Sequence, residues 1–177
     1  GIPEQAIEEL APQITLNNPL FWKNTFPVPD IETHKHTRGH AIILGGVAMT
    51  GAARLAARAA RRIGSGLITI AAPQESFLNY SIDDPGNLFS CADFDSLLSD
   101  PRITIALAGP GSGINNQTRA FVTTARGFGK PLVIDADALA VFSKSPNELF
   151  NIIGPDCVLT PHEGEFARLF DTSGSKL

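Results

Sequence analysis

Residues 40–71 read HAIILGGVAMTGAARLAARAARRIGSGLITIA, and this stretch decides the fold class. A short apolar run, Ala41 to Leu44, ends at two glycines and is followed by a helical pattern from about Met49 to Ile63. Gly64 offers a helix stop, and residues 67–71 form a second apolar run of strand length. The stretch therefore predicts a strand, a glycine turn, a helix and another strand.

The helix has an apolar side whose members recur at helical spacing, and its arginines lie opposite. The apolar residues are Ala52, Leu55, Ala56, Ala59 and Ile63. The opposite side carries Arg54, Arg58, Arg61 and Arg62. We expect the apolar side to pack on the sheet and the arginine side to face solvent or a partner.

The same alternation continues downstream. Further strands are predicted at residues 103–108, 132–134 and 157–159, with helices near 117–126 and 163–170. Repeated alternation of strand and helix predicts an α/β fold with a mainly parallel sheet and helices on both faces. In such sheets the ligand crevice lies outside the carboxyl ends of the strands.

Composition restricts the class of protein and of partner. The chain has 177 residues, 43% of them hydrophobic, and a net charge of -4, so nucleic acid is not expected as a partner. Apolar runs are too short to span a bilayer, which predicts a soluble cytoplasmic protein with no membrane partner. Cys91 and Cys157 are expected to be free, mostly buried thiols, because their spacing suits neither a metal site nor a disulfide framework.

Residues 1–37 form a separate part of the chain, interpreted as an arm or linker. They show no sustained periodicity, and four prolines are expected to interrupt regular structure: Pro12, Pro19, Pro27 and Pro29. The chain starts with Gly1 rather than Met, which predicts that a longer protein was processed or trimmed.

Two glycine turns follow predicted strands. The first spans residues 45–52 and leads into the helix N-terminus, where backbone amides and the helix dipole attract anions. The second, residues 109–113, has the sequence GPGSG and would let a bulky ligand approach the backbone. Tight turn geometry alone is the alternative explanation for both turns.

Polar side chains follow the last two strands. Asp135 would emerge at a strand end and contact a substrate hydroxyl or a hydrated magnesium, whereas Asp137 would cap a helix beginning at Ala138. His162, after Pro161, is a candidate ligand contact at the same sheet edge. The glutamates at 163 and 165 are expected to serve the next helix N-terminus.

Three histidines precede the first strand, at positions 34, 36 and 40. Their spacing suits neither a zinc site nor a catalytic pair, so no metal site is predicted. Phosphate contact and simple docking of the arm are both open explanations.

Five segments in order resemble the ADP- or ATP-dependent NAD(P)H-hydrate dehydratases. They are HKHTRGH (34–40), GGVAMTGAARLAARAARRIGSGLIT (45–69), GPGSG (109–113), DADAL (135–139) and TPHEGEF (160–166). The resemblance implies a ribokinase-like fold and the use of ADP or ATP with Mg²⁺ to dehydrate hydrated NADH and NADPH. It also implies that the substrate contacts include Gly51, Ala52, Gly111, Asp135 and His162.

The resemblance also implies an incomplete domain. The family's KGxxT and GTGD segments do not occur here, so catalytic residues are expected downstream of Leu177 and the sheet is expected to be unfinished. Residues 38–177 would be the first part of the dehydratase domain, and an epimerase domain would precede Gly1. The unfinished sheet would associate with the remainder of the domain or form a homo-oligomer.

Two other functions are compatible with the same residues. One is a small-molecule kinase of the ribokinase-like fold, acting on a vitamin precursor. The other is a non-catalytic nucleotide-binding module.

Overall fold

The computed structural model describes residues 2–11, 16–82 and 84–170. Gly1, Pro12 and residues 171–177, which bear on the expectations about the arm and the chain ends, lie outside the described residues. The chain divides into two compact units, Gly1–Glu32 and Thr33–Leu177.

The first unit contains two short helices, α1 (Glu4–Leu10) and α2 (Pro19–Trp22). Pro19 is the first residue of α2, and the side chain of Asn18 accepts a hydrogen bond from the Leu20 amide at 3.0 Å. A proline is tolerated there because the first helical amide has no intrahelical acceptor. The expectation that Pro19 interrupts regular structure is therefore wrong: this proline starts a helix.

Within the described residues, six strands of the second unit form one parallel sheet. They are β1 (His40–Leu44), β2 (Leu67–Ala71), β3 (Leu88–Ser90), β4 (Ile105–Ala108), β5 (Leu132–Ile134) and β6 (Cys157–Leu159). Their order is β3-β2-β1-β4-β5-β6, and each neighbouring pair is parallel. The parallel sheet is confirmed. β3 was not predicted, because it reads Leu-Phe-Ser and lacks the wholly apolar run that marked the other three-residue strands, β5 and β6.

Helices connect the strands. They are α3 (Thr50–Ile63), α4 (Phe77–Ser81), α5 (Phe94–Leu98), α6 (Asn116–Gly127), α7 (Ala136–Ala140), α8 (Pro146–Phe150) and α9 (Glu163–Leu169). The bounds of α3, α6 and α9 agree with the predicted bounds to within one residue. The five-residue helices α4, α5 and α8 were missed, because little more than one turn carries no recognisable period.

Both faces of the sheet are covered by helices, as expected. Ala41 and Ile43 of β1 belong to one apolar cluster, with residues of α3 and α4. Ile42 and Leu44 belong to a second cluster, with residues of α5 to α9. Successive side chains of a strand point to opposite faces, so the clusters lie on the two sides of the sheet.

The buried side of α3 differs from the predicted one. Ala53 and Ala57 are completely buried against the sheet, whereas Leu55 and Ile63 are 66% and 70% exposed. Alanines occur all around this helix, so more than one of its sides has apolar residues at helical spacing. The row of smallest side chains is buried, because alanine lets a helix approach a sheet closely.

The strand order contains a switch point between β1 and β4. The chain leaves β1 toward β2 on one side and leaves β4 toward β5 on the other. Such a reversal opens a crevice outside the carboxyl ends of the two central strands. None of the helices in the part of the chain that the structure describes is long and apolar enough to span a bilayer.

Candidate functional site

A cavity of about 780 Å³ lies at the carboxyl ends of β1 and β4. Its walls include residues 45–49 of the first glycine turn, residues 111–113 of the second glycine turn, residues 91–95 after β3, and Asp137 of α7. The volume falls within the range of small-molecule sites. The cavity therefore occupies the crevice that the strand order creates.

The two glycine turns touch each other through their backbones. A Cβ on Gly46 would overlap the carbonyl oxygen of Gly111, and a Cβ on Gly111 would overlap that of Met49. Gly111 also has a φ of +68°, which disfavours other residues. These glycines are thus required for the packing that brings both turns to one cavity.

The N-terminus of α3 has no side-chain cap, and the Ala52 amide donates to the Met49 carbonyl at 3.2 Å. Met49, at the N-cap, makes no side-chain hydrogen bond to the helix. The amides of the first turn point out of a helix N-terminus, where the dipole also favours negative charge. Gly51 lies in this turn and is exposed, with no heavy atom within 4 Å of the place where a Cβ would stand. Ala52, next to it, is half-buried.

The second turn is fixed by side chains instead. Thr118, fully buried in α6, donates from Oγ1 to the Gly113 carbonyl at 2.6 Å. Asn115 caps α6 by accepting a hydrogen bond from the Thr118 amide at 3.0 Å. Asp137 accepts a hydrogen bond from the Gly113 amide at 2.9 Å. The N-terminus of α6 is therefore already capped, unlike that of α3.

The roles expected for Asp135 and Asp137 are corrected in one respect. The helix begins at Ala136, so Asp137 lies in its first turn, and its carboxylate binds Gly113 rather than capping a helix. Asp137 lines the cavity, and Asp135 does not. Ala136 takes a φ of +41°, in the left-handed region that alanine rarely adopts.

His162 caps α9. Its Nδ1 accepts a hydrogen bond from the Gly164 amide at 3.0 Å, while Glu165 accepts one from the His162 amide at 3.0 Å. This reciprocal capping confirms the expected role of Glu165 at the helix N-terminus. The His162 side chain is 70% exposed and lies outside the cavity lining, so a ligand contact by His162 stays a prediction.

The loop after β3 contributes a wall that the sequence did not reveal. Asp93 accepts hydrogen bonds from the Ser96 amide at 2.9 Å and the Ser96 hydroxyl at 2.8 Å, and these bonds lower the pKa of Asp93. Phe94 packs edge-on against Phe121, with ring centroids 5.1 Å apart. Cys91 is a free, exposed thiol, so the expectation of burial is wrong for this cysteine.

Residues 34–40 pack at the amino ends of the strands, opposite the cavity. Arg38 donates to the Gly64 carbonyl at 2.9 Å, and a Cβ on Gly66 would overlap the carbonyl oxygen of Lys35. His34 accepts a hydrogen bond from the amide of residue 36 at 3.3 Å. These contacts support docking of the segment onto the turn before β2.

No group of three or more His, Cys, Asp or Glu side chains in residues 2–11, 16–82 and 84–170 could hold a metal ion. Both pocket aspartates, Asp93 and Asp137, already accept hydrogen bonds from neighbouring groups.

The chain resembles known proteins over most of its length. Residues 40–177 match the family model described as NAD(P)H-hydrate dehydratase. The Bifunctional NAD(P)H-hydrate repair enzyme Nnr of Coxiella burnetii is 33% identical over 87% of this chain. The chain spans 32% of that enzyme's length.

Two solved structures show the same architecture. An ADP/ATP-dependent NAD(P)H-hydrate dehydratase from Bacillus subtilis, co-crystallised with ATP/Mg²⁺, superposes with a TM-score of 0.63 and 27% identity, over 81% of this chain and 51% of its own. A ribokinase-like superfamily protein from Enterococcus faecalis gives a TM-score of 0.67 at 20% identity, over 81% and 52% of the two chains.

The comparisons confirm both the ribokinase-like fold and the family resemblance inferred from the five motifs. The matched residues include both glycine turns and Asp137, so the cavity is built from the part of the chain that the family model covers. This chain belongs to the NAD(P)H-hydrate dehydratase family.

Proposed function

We propose that this chain supplies the dinucleotide-binding part of an enzyme that dehydrates hydrated NADH and NADPH at the expense of ADP or ATP. The observation that carries the proposal is the cavity at the strand switch point, formed where the two glycine turns of the family meet. A hydrated dinucleotide combines phosphates with flat rings and hydroxyls. The cavity offers glycine backbone, a helix N-terminus and an aspartate to such groups.

The binding mode follows from the difference between the two helix N-termini. The first turn of α3 lacks a side-chain cap from Met49, whereas α6 is capped by Asn115. A phosphate of the substrate would therefore bind at the first turn of α3, beside Gly51 and Ala52. Gly111 and Asp137 would border the part of the substrate that enters the cavity.

The nucleotide and its Mg²⁺ are assigned to the part of the enzyme outside this chain. Support comes from the Bacillus subtilis relative, which is described as ADP/ATP-dependent and was crystallised with ATP/Mg²⁺. This chain covers only 51% of that protein. Asp135 and His162 are proposed to contact the substrate from the rim of the same sheet edge. The enzyme is proposed to be cytoplasmic, with the sheet completed by the remainder of the domain or by a second copy of the chain.

The function is tested on the natural protein that contains this sequence. Hydrated NADH or NADPH is supplied with ADP or ATP, and recovery of the reduced-cofactor absorbance is followed. His162→Asn is compared with the wild type, because asparagine is an equally good helix cap but lacks the imidazole. We expect kcat/KM to fall about 10-fold, the cost of losing one hydrogen bond to a charged group.

One outcome would contradict the dehydratase function, and another would contradict the substrate contact by His162. If the wild-type protein recovers no absorbance with either nucleotide, the dehydratase function is wrong. If the wild type is active and His162→Asn has the same kcat/KM, His162 serves α9 alone.

Gly51→Ala separates a functional glycine from a structural one. The position is helical and open, so alanine is expected to stabilise the free protein by about 0.5–1 kcal/mol. A methyl group there would nevertheless stand where the substrate phosphate approaches the backbone. We expect KM for the hydrated dinucleotide to rise about 10-fold while the melting temperature rises. An unchanged KM would show that the substrate does not approach Gly51.

A further inference from the structure

Tyr80 reaches the first glycine turn from the core side. Its ring, 3% exposed, belongs to the apolar cluster between α3 and the sheet, together with Ile43 and Ile70. Its hydroxyl donates a hydrogen bond to the Gly46 carbonyl at 2.7 Å. A Cβ on Gly45 would stand 2.6 Å from that hydroxyl, so a glycine is needed to admit the phenol.

This bond fixes the orientation of a whole peptide unit. A trans peptide is planar, and its carbonyl and amide point in opposite directions. With the Gly46 carbonyl directed at Tyr80, the amide of Val47 is directed away from it. Val47 lines the cavity.

The bond holds across the physiological pH range. Burial raises the pKa of the Tyr80 hydroxyl, so the group stays protonated and remains a donor. A buried carbonyl without a partner is costly, so the Gly46 peptide has little reason to rotate while Tyr80 is present.

We propose that Tyr80 is a positioning residue, which holds the first glycine turn so that the amide of Val47 faces an oxyanion of the dinucleotide substrate. The proposal rests on the proposed function and deepens it. Asp137, which lines the cavity, bonds the Gly113 amide of the second turn, so a side chain distant in sequence also holds that turn.

The test compares Tyr80→Phe with Thr69→Val in the natural protein. Phenylalanine keeps the ring and removes only the hydroxyl. Thr69 is a matched control, because it is also buried and its hydroxyl bonds His40 Nε2 at 2.7 Å, but it does not line the cavity. Melting temperatures of both variants are measured to compare the general cost of losing a buried hydroxyl.

Kinetics and hydrogen exchange give two independent readouts. We expect Tyr80→Phe to raise KM for the hydrated dinucleotide about fivefold, the worth of one hydrogen bond, with kcat and the KM for ADP or ATP unchanged. Amide exchange of residues 45–49 is expected to accelerate in Tyr80→Phe and not in Thr69→Val.

The outcomes test the positioning role of Tyr80 separately from the proposed dehydratase function. If exchange in the turn is the same in both variants, the positioning role is overturned, whatever the enzyme catalyses. The role is equally overturned if the turn loosens but the substrate KM matches that of Thr69→Val. If the wild type recovers no reduced cofactor, the proposed function fails, and exchange in the turn still decides whether Tyr80 orients it.

Discussion

Replacing Gly109 with alanine is expected to destabilise the protein by about 3 kcal/mol or more and to abolish the proposed dehydratase activity. Gly109 has a φ of +128°, which residues with a side chain rarely adopt. A Cβ there would also overlap the carbonyl oxygen of Asp135, a backbone atom that cannot rotate away. Relief of the overlap would separate the second turn from α7, which carries Asp137.

Urea unfolding and the cofactor-recovery assay measure the two effects. Gly127→Ala is the matched control, because Gly127 is the last residue of α6 and a Cβ there would meet nothing within 4 Å. Its stability should stay equal or increase slightly, with unchanged activity. If Gly109→Ala unfolds at the same urea concentration as Gly127→Ala, the overlap is relieved by movements that the structure does not reveal.

Phe121→Ala is expected to lower the free energy of unfolding by about 3–5 kcal/mol. Phe121 is completely buried in the cluster on the α6 side of the sheet. Its ring also meets Phe94, a cavity residue, edge-on at 5.1 Å. Truncation would therefore leave a void beside the cavity wall as well as remove apolar burial.

Chemical denaturation, with Phe128→Ala as control, tests this prediction. Phe128 follows α6 directly but is 43% exposed, so its loss should cost much less. A cost for Phe121→Ala no larger than that for Phe128→Ala would show that the core collapses around the void. Because Phe94 would lose its partner, we also expect Phe121→Ala to bind the proposed substrate, the hydrated dinucleotide, more weakly.

The central fold could be predicted from local pattern because its longest elements are strongly periodic. β1, α3 and β2 follow one another as an apolar run, a helical repeat and a second apolar run. Short elements such as β3 and α5 were not predicted, although the loop that connects these two elements forms a wall of the cavity. β3 lacks the wholly apolar run that marked β5 and β6, and a helix of five residues is too short to show a helical period.

The glycine turns could also be located in advance, since each follows an apolar run and precedes a helical one. The ordered motifs were sufficient to identify the family, which depends on residue identity and order alone. Neither the glycine turns nor the motifs show which side of α3 is buried. Because α3 has alanines on several sides, its buried side is determined by packing against the sheet.

The contacts that shape the cavity were decided by tertiary structure. Tyr80 bonds a carbonyl 34 residues earlier in the chain, and Asp137 bonds an amide 24 residues earlier. No local sequence pattern predicts either hydrogen bond. Asp137 was predicted to cap a helix because the free amides of a helix N-terminus are the nearest donors along the chain. Periodicity indicates which side of an element is apolar, whereas contact between a side chain and a backbone group distant in sequence depends on the order of the strands in the sheet.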